Sequence, residues 1–213
     1  MSKKQQNSKF HLEFLSTAQK LAWMGFQQHD VMFMIGPAGV GKSHVSMAFA
    51  IHEILQGTKK RIILTRPIVE SGESLGYLPG NMAEKVNPYM LPLFDCLHTL
   101  VLNIEQSKKI EAAIELAPIA YMRGRTFSDA VAIFDEAQNA TKMQLKLFLS
   151  RLGKDSKIIV NGDPSQSDIG NKSGLMDVIH RLETVTGVSI IKFGEDSIVR
   201  HPLVSAILAK LED

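Results

Sequence analysis

The 213-residue sequence contains a single cysteine, Cys96. One thiol cannot close an internal disulfide, so no disulfide framework supports the fold. The seven histidines lack H-x-x-x-H spacing, and no C-x-x-C pair accompanies them. A metal held by protein side chains alone is therefore not expected. Strong charge of one sign is also missing: 24 Lys+Arg against 22 Asp+Glu leave a formal net charge of +2. That balance permits a local basic patch but does not by itself argue for nucleic-acid binding. Aromatic residues make up only 7%. Trp23, Tyr77, Tyr89 and Tyr121 are scattered and form no basic–aromatic stripe for stacking single strands. No apolar run reaches the ~18 residues of a membrane span. The N-terminal MSKKQQNSKF is basic, yet no apolar segment follows it, so it does not read as a secretory signal. Repeats and low-complexity blocks are absent. The expected setting is the cytoplasm, with the thiol reduced and no membrane partner.

What is present is globular. Hydrophobic residues make up 45%, and the mean hydropathy is +0.01, values that argue against disorder. Residues 1–9 read as a loose polar N-terminus, and 10–213 as one domain. A helix is expected from Phe10 to Met24, ended by Gly25. Continuous apolar runs at 31–35, 61–65, 130–134, 157–161 and 188–193 read as buried strands. Helical patterns lie between them at 42–55, 81–102, 104–116, 141–152 and 174–184, and a last one runs from Pro202 to Leu211. One further short strand is expected near 115–120. Strands alternating with helices mean an α/β fold with a mostly parallel sheet.

The first strand runs into GPAGVGKS, residues 36–43, which matches G-x-x-x-x-G-K-[ST] in full. A strand before the motif and a helix after it are the context this loop needs. Gly36, Gly39 and Gly41 let the backbone curl with its N–H groups inward. With Pro37, Ala38 and Val40 they form an anion nest for a β-phosphate. Lys42 would bridge β- and γ-phosphates, and Ser43 would offer its hydroxyl to Mg²⁺.

AVAIFDEAQ places Asp135 at the C-terminal end of an apolar strand, the edge where ligands sit in open α/β sheets. Asp135 would hold Mg²⁺, and Glu136 could accept a proton from attacking water. In isolation the pair would be a solvated helix cap; beside the phosphate loop it points to hydrolysis. KIIVNGDPSQSD ends a further strand with Asn161, Gly162 and Asp163, three residues ahead of Gln166. A Gln amide can donate to a γ-phosphate oxygen and accept from water, so Gln166 can sense hydrolysis.

GPAGVGKS, TRPIVESGESLGYLPG (65–80), YMRGRT (121–126), DEAQN with its following T-x-x-Q-x-K-x-F-L-x-R (135–151), NGDPSQSD and IVRHPLV (198–204) together resemble the PhoH-like ATPases, relatives of superfamily 1 helicases. The resemblance spans roughly residues 10–211. It implies a P-loop NTPase of RecA-like, three-layer form that binds ATP and Mg²⁺, with hydrolysis expected and a link to single-stranded RNA or DNA. By the same resemblance, Gln19 corresponds to an adenine-reading glutamine, with a surface helical Gln as the alternative. Arg66 and Glu70 resemble a segment that touches nucleic acid or couples it to ATP. Arg123 and Arg125 either bind a phosphodiester backbone or form structural ion pairs. Arg200 resembles a late arginine motif whose guanidinium stabilises γ-phosphate charge; the alternative is a capping Arg at a helix start.

In full helicases that arginine comes from a second RecA-like domain, for which this sequence has no room. It would fold back in cis or reach a neighbouring subunit, and the latter predicts a homo-oligomer, plausibly a hexameric ring. Longer relatives carry N-terminal extensions or a nuclease domain. Neither is seen here, so no ribonuclease chemistry is expected. Three other readings compete with a plain ATPase: an RNA or DNA motor, a nucleotide-gated switch or assembly module with slow turnover and no unwinding, and a small-molecule kinase. Glu136 argues against the kinase, because a water-activating base would waste its ATP.

Overall fold

The computed structural model describes residues 10, 12–68, 82–199, 203, 204, 207 and 210. Among the described residues, six strands form one sheet: β1 (Val31–Ile35), β2 (Arg61–Thr65), β3 (Ile114–Leu116), β4 (Ala130–Phe134), β5 (Lys157–Gly162) and β6 (Val188–Lys192). Every pairing is parallel, and the order is β3-β2-β4-β5-β1-β6. The helices are α1 (Thr17–Gln28), α2 (Lys42–Gln56), α3 (Met82–Leu100), α4 (Ile104–Glu111), α5 (Lys142–Leu149) and α6 (Leu175–Leu182).

The apolar strands read as they do because both sheet faces are covered. In β1, Met32 and Met34 join one core with Ala22, Phe26 and Phe49 from α1 and α2, and with Met90 and Leu93 from α3. Phe33 and Ile35 point to the other core, with Leu145 and Phe148 from α5 and Val178 and Ile179 from α6. The result is the expected α/β P-loop architecture: a parallel sheet between two helical layers.

The N-terminal helix differs from the sequence expectation at both ends. It starts at Thr17, not Phe10, because Ser16 takes an extended conformation and its side chain accepts from Gln19 N–H as an N-cap. Phe10, Leu12 and Phe14 still pack on the core, ahead of the helix. Gly25 does not end it. The helix passes through this buried position to Gln28, and a Cβ there would lie 2.7 Å from Ser189 Oγ. Gly25 lets α1 sit close on β6. The expected helix over 104–116 is cut at Glu111, and the short strand starts at Ile114. The expectations for residues 1–9 and for Glu70 and Tyr77 lie outside the described residues. So does much of the last helix, of which Leu203, Val204, Ile207 and Lys210 are helical. Among the described residues, no helix is long and apolar enough to cross a membrane.

Candidate nucleotide site

The sheet order fixes the site. β5 lies between β1, which leads into the phosphate loop, and β4, which leads into Asp135. Asn161 pairs in register with Met34 on one side, and its neighbour Val160 pairs with Phe134 on the other. Three strand ends therefore converge on one cavity of about 220 Å³. Ala38, Gly39, Gly41, Lys42, Ser43, Asp135, Glu136 and Gln166 all line it, together with His44, Gln138, Asn161, Gly162 and Asp163.

The loop is shaped by its glycines. Gly36 abuts the end of β6: a Cβ there would approach Phe193 O to 2.4 Å, so no side chain fits. Gly41 caps α2 at φ 84° and has no side chain with which to bond the helix N-terminus. A 15-residue helix thus points its positive end at the cavity, which suits an anion. Lys42 Nζ lies across the loop, donating to Gly36 O at 2.6 Å and Pro37 O at 2.8 Å. Val40 is fully buried.

Ser43 Oγ donates to Asp135 Oδ1 at 2.8 Å, joining two residues 92 positions apart. Asp135 is buried, and Asn161 Nδ2 donates to the same oxygen at 3.1 Å. Ser46 Oγ lies 2.9 Å from both Asn161 Oδ1 and Lys42 O. A buried polar chain therefore runs from α2 through β5 to the carboxylate after β4. Ser43 and Asp135 offer hard oxygen donors. Among the described residues no cluster of three His, Cys, Asp or Glu could hold a metal. That donor set fits Mg²⁺, which takes one or two protein oxygens and completes its shell with phosphate and water.

Glu136 has φ 54°, rare for a residue with a side chain, and the chain turns there from β4 into a short 3₁₀ turn, Ala137–Asn139. Both carboxylate oxygens are engaged. Arg66 Nη2 lies 3.3 Å from Oε1, and Gln138 Nε2 donates to Oε2. Gln138 is itself buried, and its Oε1 accepts from Asp163 N–H at 3.0 Å. Asp163 Oδ1 accepts from Ser165, while its buried Oδ2 has no partner among the described residues. Gln166 lies on the same cavity. His44 is half-buried, which holds its imidazole below its ordinary pKa. On α3, burial first and the charge of Asp135 second push the Cys96 thiol up to about 11, so it stays protonated.

Gln19 is buried rather than on the surface. Its Nε2 donates to Val40 O at 3.4 Å and its Oε1 accepts from Leu15 N–H at 2.8 Å. The amide thus braces the phosphate loop and keeps one donor and one acceptor position for another partner. Arg125 and Arg123 separate. Arg125 pairs with Glu115, which also binds Arg61, and stacks over Phe127. Arg123 is exposed. Arg200 lies outside the described residues, but its neighbour is placed: Val199 N–H donates to Gly39 O at 3.0 Å in the same chain. Sequence reasoning missed Ser46, Gln138 and the bracing role of Asn161. Only Gln138 carried a signal, its place in DEAQ.

The family model described as PhoH-like protein matches residues 11–212. The chain belongs to the PhoH-like family. It is 50% identical over 186 residues to a PhoH-like protein of Bacillus subtilis (strain 168), covering 85% of this chain and 58% of that one. It is 43% identical over 187 residues to protein PhoH of Escherichia coli (strain K12), covering 85% and 53%. The chain thus spans little more than half the length of these PhoH-like relatives. Two solved structures share the fold. The large terminase from a thermophilic bacteriophage has a TM-score of 0.55 at 11% identity, covering 93% of this chain and 50% of that one. The Sulfolobus solfataricus SWI2/SNF2 ATPase core in complex with dsDNA has a TM-score of 0.50 at 14% identity, covering 88% and 46%.

Proposed function

We propose that residues 10–213 form one ATPase domain that hydrolyses ATP with Mg²⁺. The observation that carries this reading is the 2.8 Å contact between Ser43 and Asp135, on a cavity shared with Lys42 and Glu136. Mg²⁺, held by Ser43 and Asp135, would supply positive charge against the negative charge that develops on the phosphates. The loop from Gly36 to Gly41 cradles the phosphates with its N–H groups. Lys42 exchanges the carbonyls of Gly36 and Pro37 for phosphate oxygens. Ser43 and Asp135 hold the metal, and Asn161 keeps the Asp135 carboxylate oriented. Glu136 orients a water and takes its proton, a role that typically contributes ~10²–10⁴-fold. Gln166 donates to the γ-phosphate. Gln19 braces the loop and contacts adenine through its remaining amide positions. Arg200 stabilises transition-state charge, and the Val199–Gly39 bond supports delivery within one chain rather than from a neighbour. Self-association is then not needed to complete the site.

A second reading has its own support. Glu136 is occupied at both oxygens by Arg66 and Gln138, which fits a slow, gated turnover and a switch-like role. Coupling to single-stranded RNA or DNA would lift that restraint, and the motif resemblance and exposed Arg123 favour it. Lys42→Ala tests the core claim. It should abolish Mg²⁺–ATP binding or turnover while the protein keeps its unfolding midpoint. Wild-type turnover by the folded variant would overturn the assignment.

A further inference from the structure

At the end of the sheet opposite the nucleotide cavity, α5 and α6 bound an open groove of about 370 Å³. Val31 and Val188 in its floor are the first residues of β1 and β6 and pair in register. The phosphate loop leaves β1 at the other end, and the groove shares no lining residue with the nucleotide cavity. Leu149 of α5 and Val178 and Leu182 of α6 complete an apolar floor that continues the second core outward. Three charged side chains line the groove, and all are cations: Lys142, Lys146 and Arg181. Asp177 accepts from Lys142 at 2.6 Å and from Arg181 at 2.7 Å. One carboxylate thus offsets two cations, and the exposed Lys146 has no ion-pair partner among the described residues. Lys146 belongs to the string T-x-x-Q-x-K-x-F-L-x-R, whose other members have structural tasks. Thr141 and Gln144 form the capping box of α5, Phe148 is buried, Leu149 lines the groove, and Arg151 donates to backbone carbonyls. On the far side of α5, Lys146 also lines a cleft with Arg123 and the exposed Met143.

We propose that this groove docks an acidic amphipathic helix of a partner protein. α5 and α6 have 8 residues each, about 12 Å of helix. A third helix laid between them presents apolar residues at i, i+3, i+4 and i+7 to the floor. Lys142 and Lys146 stand one turn apart on α5, with about 5–6 Å between their Cβ atoms. Two carboxylates four residues apart on the partner match that spacing, and a third reaches Arg181. A fatty acyl carboxylate would fill the floor yet meet only one of the three cations. Nucleic acid would meet the cations but find no aromatic ring among the described lining residues on which to stack a base. Apolar anchors over the floor and carboxylates over the rim give the apolar core and polar rim of a protein interface.

The test titrates three fluorescein-labelled peptides of about 18 residues, five helical turns, with the whole chain by anisotropy. The first has Leu at i, i+3, i+4 and i+7 with Glu beside them. The second has the same composition in an order without that period, and the third has Lys for every Glu. The first should bind wild type about tenfold tighter than either control. Amide resonances of Leu149, Val178 and Leu182 should shift as it binds. Lys146→Glu should weaken it about 3–10-fold, because one exposed pair is lost and a like-charge contact replaces it. The same variant should keep the wild-type rate of ATP turnover. If Lys146→Glu lowers the unfolding midpoint, Lys146→Gln makes the same comparison with a smaller loss. No binding of the first peptide below about 1 mM, or equal binding of the second, would overturn the proposal. So would an affinity that ignores both Lys146 variants. If oligouridylate, and not the acidic peptide, binds wild type and loses affinity in Lys146→Glu, the surface serves nucleic acid and the assignment is wrong. If light scattering shows wild type self-associated and Lys146→Glu monomeric, a second copy covers the groove, and the assignment is wrong again.

Discussion

Asn161 shows how much of the site depends on one side chain that touches no phosphate in the proposed chemistry. It is 1% exposed, and it donates to the carboxylate oxygen that also accepts from Ser43. Asn161→Ala should destabilise the fold by about 1–3 kcal/mol, because it removes a donor from one buried polar group and a partner from Ser46. It should also raise the Mg²⁺ concentration for half-maximal hydrolysis about 10–100-fold, the usual effect of losing a residue that orients a metal ligand. A denaturant melt and a Mg²⁺ titration check the two parts separately. The phosphate loop, Asp135, Glu136 and Gln166 were legible in the sequence because each follows an apolar strand in a recognisable string. Ser46, Asn161 and Gln138 were not. Their roles come from contacts across 115, 26 and 25 positions, which only the strand order creates. Gln19 was legible as a position but not as an environment, since its burial depends on the loop folding over it.

Among the elements, the strands were easiest to see, because a parallel sheet covered on both faces needs unbroken apolar runs. Helix ends were harder. Gly25 carried the sequence signal of a stop, yet close packing on Ser189 explains it. The true end of α1 is held from outside. Lys157 on β5 donates to Phe26 O at 2.7 Å and His29 O at 2.8 Å, and its ammonium lies 5.2 Å from the Phe26 ring. Lys157→Met should cost about 1–2 kcal/mol by leaving those terminal carbonyls without the charge that binds them. Urea unfolding measures it, and no change would mean water replaces the ammonium. On the opposite layer Asp177 of α6 bonds Lys142 of α5 at 2.6 Å and Arg181 at 2.7 Å. Hydrogen bonds from Lys142 first and Arg181 second hold the Asp177 carboxyl below its ordinary range. Its folded pKa is thus below its unfolded one. The stabilisation is complete above the unfolded value, about 4, and is lost as pH falls through the folded value. Asp177→Asn should flatten that part of the acid limb of a stability–pH curve and leave the neutral region's slope unchanged.

At the scale of the whole molecule, the sheet order does the assembling. By inserting β5 between β1 and β4, it sets a polar strand end between the phosphate loop and the acidic pair. The same packing brings Val199 onto Gly39, which the sequence could not show, because the two lie far apart in the chain. Mixing Arg200→Ala chains with Lys42→Ala chains tests whether Arg200 serves its own chain's site. Delivery within one chain predicts no recovery of activity, since no site has both groups. Recovery after verified subunit exchange would place Arg200 across an interface and restore the ring expectation. The most direct test of the central claim is Glu136→Gln, read as Mg²⁺–ATP affinity and single-turnover hydrolysis on the same preparation. Hydrolysis by a base at Glu136 predicts affinity within a few-fold of wild type and a rate lower by about 10²–10⁴-fold. Hydrolysis at the wild-type rate, with affinity intact, would contradict it.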